Sequence, residues 1–242
     1  MNKTHSETFT VRGSECDLYG RMRLDALFLS MQEVGERHAC ELGVGHDAMQ
    51  QRGLFFALSR IHVHVADAPV CGQAVTQTTW PGTSNRFFCP RYHVFTAEDG
   101  TVLAAAGALW VMLDFEHRSI VSPLKMDLQF PDTRDLPTPI GLPNRLPPMA
   151  ADVRTRTRVP VYCDYDINGH VNNTKYLAWL CDALRHAFIG DIVAGYEKEI
   201  RDAAPHTESL SLQDGAFTYC VASGAGGKHF IAGGTLSREV QP

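Results

Sequence analysis

The chain has 242 residues, 22 Lys+Arg against 27 Asp+Glu and 44% hydrophobic residues, which is the composition of an ordinary globular protein and excludes disorder, collagen and coiled coil. A net charge of -5 argues against nucleic acid as a partner, because a duplex-binding protein shows a basic face. The first residues lack the apolar core of a signal peptide, no stretch approaches the ~18 apolar residues of a membrane span, and the seven Cys form no Cys-x-x-Cys pair, so the expectation is a cytoplasmic protein with reduced thiols.

The first domain is expected over residues 1–120. Glu15-Cys-Asp-Leu-Tyr-Gly-Arg reads as a turn, and from Leu24 to about Cys40 the residues Leu27, Met31, Val34 and His38 recur at helical spacing. Four β-rich segments follow, roughly 54–66, 71–80, 86–97 and 101–114, each bounded by Gly or Pro. Seven of the 13 Pro then fall between Pro123 and Pro148, where missing backbone donors block both helix and central strand, so 121–150 reads as a linker. Residues 151–242 form the second domain. Asp164-Tyr-Asp-Ile-Asn-Gly-His is its turn, Tyr176, Leu177, Leu180, Leu184 and Phe188 share a helical face, and strands are expected near 191–201, 206–213, 215–222 and 227–237.

The halves look like copies of one another. Asp17 matches Asp166 and Gly20 matches Gly169, with Leu18/Ile167, Met22/Val171 and Leu27/Tyr176 in step. Each half is a strand, a turn, a long helix and four strands, and an antiparallel sheet with one apolar face is satisfied by a single helix packed on it. The expected class is therefore α+β, a tandem (double) hot-dog of two antiparallel sheets, each wrapped on one long helix.

The duplication also separates scaffold from chemistry. Asp and Gly recur in both turns, but Asn168 and His170 are replaced by Tyr19 and Arg21 in the first copy, so the turn survives without them. Asp166 is then as readily a turn carboxylate as a reactive one, and Gly169 supplies an unusual backbone dihedral.

The run Asp166-Ile-Asn168-Gly-His170-Val-Asn172-Asn173-Thr-Lys-Tyr176 resembles the signature of the acyl-ACP thioesterases, the plant FatA/FatB type and their bacterial relatives. In the first half Leu58-Ser-Arg60, Thr79-Trp-Pro81, Arg86, Arg91 and Leu109 to Asp114 are similar to that family's first hot dog, and the likeness runs from about residue 5 to 238. The resemblance implies a Glu on the next strand that joins the Asp-x-Asn-x-His residues, and Tyr196-Glu-Lys-Glu199-Ile200 points to Glu199. Plant members often carry a Cys after that Glu. Here the place is Ile200, and neither Cys163 nor Cys181 occupies it.

Thioester hydrolysis needs a base for water, or a carboxylate nucleophile, and donors aimed at the developing oxyanion. The implied roles are Glu199 as base or nucleophile, His170 to position the water or thioester or to shuttle a proton, Asn168 to hydrogen-bond the reacting groups, and Asp166 to orient its neighbours. The helix N-terminus at Asn172 and Asn173 would supply the oxyanion donors. The activity implied is hydrolysis of fatty acyl-ACP, with acyl carrier protein as partner, the acyl chain housed in the first domain, and neither metal nor organic cofactor. An acyl-CoA thioesterase and a non-catalytic acyl-binding hot-dog protein stay open as alternatives, and a homodimer is optional. Two further features have bland readings beside sharper ones. His62 and His64 share a strand face but lack a third metal ligand. Arg154, Arg156 and Arg158 alternate on one face, either as a solvated edge strand or, with Lys175, as a docking patch for an acidic carrier.

Overall fold

In the computed structural model, which describes residues 1–185 and 187–237, the same architecture surrounds each of the two turns. The chain divides into compact units Met1–Pro143 and Asn144–Pro242, a cut inside the proline-rich stretch; the last residues of the expected second domain, 238–242, lie outside the described residues.

In the first unit β1 (His5–Thr10) leads into α1 (Leu24–Glu41) and the short α2 (His46–Gln50), followed by β2 (Leu54–Val65), β3 (Ala74–Pro81), β4 (Cys89–Ala97), β5 (Val102–Asp114) and the two-residue β6 (Ile120–Val121) paired to β5. In the second, β7 (Arg154–Arg158) leads into α3 (Asn173–Leu184) and then β8 (Ile189–Tyr196), β9 (His206–Gln213), β10 (Ala216–Ser223) and β11 (Lys228–Leu236). The strand orders are β1-β3-β4-β5-β2 and β7-β9-β10-β11-β8, with antiparallel neighbours throughout. They are the same order.

Each helix buries the face that its periodicity predicts. Leu27, Phe28, Met31 and Val34 of α1 are each 2–3% exposed, and burying such side chains contributes ~1.5–3 kcal/mol apiece. Tyr176, Leu177, Leu180 and Leu184 do the same for α3, where the Tyr176 ring stacks on Phe230 of β11 with centroids 5.2 Å apart. Charge pins the leading strand to its helix in both units. Arg37 of α1 grips Glu7 of β1, while Arg156 and Arg158 of β7 converge on buried Glu208 of β9 and Arg156 Nη2 donates to the Trp179 carbonyl of α3 at 2.9 Å.

The proline-rich stretch packs on the sheets. A Cβ at Gly107 of β5 would stand 3.2 Å from Leu142 and 3.3 Å from Ile140, and one at Gly233 of β11 would stand 2.6 Å from the Pro147 ring. Small residues thus admit the strap.

Two expectations need correction. The second helix stops at Leu184, where Arg185 takes a left-handed φ of 52°, so Phe188 lies beyond it. The strand expected over 191–201 stops at Tyr196, because the Glu197 and Lys198 N–H groups both turn onto the His229 carbonyl and the ladder ends there.

Candidate active site

Both repeated turns are built from the same hydrogen bonds. Asp17 N–H donates to the Arg21 carbonyl and Gly20 N–H to the Asp17 carbonyl; Asp166 with His170 and Gly169 with Asp166 repeat the pattern. Gly20 and Gly169 take φ of 77° and 71°, which is why glycine stands at both. The Asp side chain completes the turn: Asp17 Oδ1 accepts the Tyr19 N–H, and Asp166 Oδ1 the Asn168 N–H, each at 2.9 Å. That structural duty is common to both copies.

What fills the turn differs. In the first copy Arg21 Nε donates to Asp17 Oδ2 at 3.0 Å and closes an ion pair. In the second, His170 Nδ1 donates to the Val171 carbonyl at 3.2 Å and lies 3.6 Å from Asp166 Oδ2, while Nε2 lies 3.7 Å from Glu199 Oε1. The imidazole is 15% exposed, so a half-buried ring is held between two carboxylates.

Glu199 reaches His170 from the segment after β8, not from a strand as expected. Beyond Tyr196 the chain crosses to the turn, where Val171 N–H donates to the Ile200 carbonyl at 2.8 Å and Ile200 is buried. The counterpart bond in the first copy runs from Met22 to Pro69, so Ala68 and Val70 occupy the places of Glu199 and Arg201. Chemistry is absent from those places in the first copy.

Arg201 is a site residue that the motif does not include. Its Nε and Nη2 donate to Glu199 Oε2 at 2.9 and 2.6 Å, and its Nη1 donates to the Asn168 carbonyl at 3.2 Å. It ties the carboxylate to the turn. His229 supports the same segment, because its Nδ1–H donates to the Lys198 carbonyl at 3.0 Å; burial holds this imidazole below its ordinary pKa, so it stays neutral. Tyr196 OH donates to the Asn173 carbonyl at 3.1 Å, and burial pushes that phenol well above its ordinary value, so the tether stays protonated. No local pattern in the sequence marks His229; Tyr196 opens the run that points to Glu199, though nothing there marks its tether to Asn173.

The other expected residues divide. Asn172 caps α3, its Oδ1 accepting the Thr174 N–H at 2.9 Å, while its own N–H donates to the Asp164 carbonyl at 2.8 Å. It is therefore corrected from oxyanion donor to helix cap. Asn173 N–H has no acceptor among the described residues, as befits the first helical position. Asn168 joins the site through its backbone, and its side chain is exposed. Arg156 and Arg158 are turned to Glu208, which is only 1% exposed, and Arg158 also pairs with Asp182; of the arginine trio only Arg154 is left as a candidate solvated face, while half-buried Lys175 sits in the first turn of α3. His62 Nδ1 is bound to the Gly141 carbonyl, and among the described residues no group of three or more His, Cys, Asp or Glu is placed to hold a metal. No helix among them is long and apolar enough to cross a membrane.

Comparison with known proteins bears on this arrangement. The family profile of the acyl-ACP thioesterase N-terminal domain matches residues 2–126, and that of the C-terminal domain matches 149–205. A dodecanoyl-[acyl-carrier-protein] hydrolase, chloroplastic, of Cinnamomum camphora is 27% identical over 196 residues, which cover 73% of this chain and 50% of that protein. The chain spans about half the length of the curated relatives that it matches. Among solved structures, an acyl-ACP thioesterase from Bacteroides thetaiotaomicron superposes with a TM-score of 0.83 at 20% identity, over 97% of this chain and 98% of that one. A 12:0-ACP thioesterase from Umbellularia californica gives 0.80 at 21%, over 99% of both. These likenesses establish the tandem hot-dog fold.

Proposed function

The chain belongs to the acyl-ACP thioesterase family, and from that premise we propose that it hydrolyses fatty acyl thioesters borne by acyl carrier protein, releasing the fatty acid and the carrier thiol. The observation that carries this is His170 held between Asp166 and Glu199, close in sequence to the N-terminus of α3. Two groups 3.7 Å apart can both reach one water at ~2.8 Å. The water oxygen attacks the thioester carbonyl carbon as its proton passes to Glu199, with His170 fixing the water or relaying the proton. The carbonyl oxygen becomes an oxyanion, for which the Asn173 N–H and the positive end of α3 are the available donors. The C–S bond then breaks, and the proton is delivered to the departing sulfur. Arg201 orients Glu199 by holding Oε2, which turns Oε1 toward His170.

Glu199 acting as a nucleophile, with an acyl anhydride then hydrolysed, uses the same groups. In either case the first unit serves as the acyl-chain site, since its own copy of the turn holds Arg21, Ala68 and Val70 in place of the reactive side chains. Carrier recognition by the basic face falls to Arg154 and Lys175, because the charges of Arg156 and Arg158 are already met by Glu208 and Asp182. Seven cysteines without a disulfide suit a reducing compartment such as the cytoplasm. The test is product analysis with purified protein and acyl-ACP or acyl-CoA of graded chain length. Free fatty acid from acyl-ACP is the expected product; no hydrolysis of either donor would overturn the proposal, and preference for acyl-CoA would reassign the carrier.

A further inference from the structure

The first unit carries polar groups beneath α1 that an ordinary helix-on-sheet core does not need. Gln77 and Thr79 of β3, Arg91 and His93 of β4, and His38 of α1 are all buried. Gln77 Nε2 donates to His93 Nδ1 at 3.2 Å, Arg91 Nη1 donates to His38 Nδ1 and Thr79 Oγ1 at 3.2 Å each, and His38 Nε2–H donates to the Asn2 carbonyl at 3.3 Å. These acceptors are neutral. Arg91, 9% exposed, has no carboxylate within ion-pair distance among the described residues, and its Nε and Nη2 donate to none of them. Burial lowers its pKa only to about 10, so it is a cation at neutral pH. The Glu36 carboxylate offsets this charge in part from beyond ion-pair distance, and a buried charge lowers stability unless it is met more fully.

What lies beside Arg91 is a cavity of about 80 Å³, walled by Gly35 and Ala39 of α1, Phe56, Trp110 and Phe130. Trp110 also lines it, and its indole N–H is buried with no acceptor among the described residues. Gly35 stands on this wall inside the helix, and a Cβ there would make ordinary contact with Arg91 Cδ at 3.4 Å. Arg91 at the wall of this largely apolar cavity calls for an acceptor, and a plain methylene chain would dehydrate it while giving it none. Glu36 also lines the cavity, and its carboxylate disfavours an anion there.

Resting on the reading of the first unit as the acyl-chain site, we propose that this cavity selects acyl groups bearing a neutral oxygen substituent, a hydroxyl or keto group, which accepts from Arg91 and lies against Trp110. The probes are S-alkyl pantetheine thioethers of one chain length, one plain and the others with a single hydroxyl or keto group at successive carbons. They cannot be cleaved, so affinity is read without turnover, by calorimetry and by tryptophan fluorescence. For wild-type protein at least one oxygenated position should bind about 10- to 100-fold more tightly than the plain chain, the range for a hydrogen bond to a charged group. Arg91→Met should abolish the preference, Arg91→Lys should restore part of it, and Trp110→Phe should remove much of the fluorescence change. Equal wild-type affinity for the plain and all oxygenated probes would overturn this inference and leave the acyl-chain site intact, a comparison that needs no variant to fold. Binding of no thioether at all would overturn the acyl-chain site, and the inference with it.

Discussion

Replacing Glu199 by Gln keeps the size of the side chain and removes its capacity to take a proton. If Glu199 is the base, kcat should fall by the ~10²–10⁴-fold typical of general base catalysis, or about 2.7–5.4 kcal/mol of barrier at 1.36 kcal/mol per decade. The structure shows why that loss will not be confused with unfolding. The Glu199 and Arg201 side chains are 34% and 45% exposed, and ion pairs this open contribute only ~0–1 kcal/mol to stability. For a chain of this size the melting temperature should therefore move by less than about 4 °C. The assay is continuous release of carrier thiol from acyl-ACP, with KM largely retained because the carboxylate acts on water. His170→Ala should cost a similar factor, and the double variant much less than the product of the two, since the groups act on one proton. Exposed Glu197, whose N–H is turned onto β11, is the control, and Glu197→Gln should stay near wild type. Near-wild-type turnover by folded Glu199→Gln would refute the assignment.

Arg201→Met should lower kcat by about 10-fold, because it loosens the carboxylate without removing it; a loss as large as that of Glu199→Gln would mean that Arg201 itself touches substrate. Glu208→Ala strands Arg156 and Arg158 and should cost about 2–3 kcal/mol in urea unfolding, below the ~3–5 kcal/mol of a wholly buried pair because Arg156 is 41% exposed. Cys163→Ser and Cys181→Ser should each leave substantial turnover, since neither thiol takes part in the bonds around His170. Burial holds His38, His93 and His229 below the ordinary imidazole value of 6.5, so the unfolded chain gains protons that the folded one resists. Stability should accordingly be complete above pH 6.5 and fall as the pH drops toward these lowered values, by up to about 1.3 kcal/mol per histidine at pH 5.5; equal unfolding midpoints at pH 7.5 and 5.5 would contradict it.

The architecture was legible because its signals are local. The Asp-x-x-Gly turns, the helical spacing of Leu27, Met31 and Val34 and the proline cluster are all visible within a few residues, and each corresponds to a distinct element. What escaped depends on contacts distant in sequence. Asp17 and Asp166 are 149 residues apart, but the matched bonds to Pro69 and Ile200 fall 131 residues apart, because α2 and a longer α1 intervene in the first copy. A fixed-offset comparison thus shows the turn and hides the segment that faces it. The alternation of Arg154, Arg156 and Arg158 was equally visible, but the acceptor that Arg156 and Arg158 share lies some fifty residues on, in β9. Periodicity places an arginine on a face and is silent about what waits there.

The same distinction explains how one scaffold holds two different interiors. The turn asks for only a carboxylate at its first position and a glycine at its fourth, and both copies meet those demands with nearly the same bond lengths. Tyr19, Arg21, Ala68 and Val70 stand where the second copy has Asn168, His170, Glu199 and Arg201, while the bonds of the turn are kept. In the second copy an imidazole and a carboxylate were admitted half-buried, where water or substrate can reach them. In the first copy Ala68 and Val70 stand at the facing positions, and Arg91, His93 and Gln77 are buried under α1. A buried cation in that place does not aid folding by itself. Its presence in the copy without reactive groups is the physical reason to look for selection of the chain there and for chemistry in its twin.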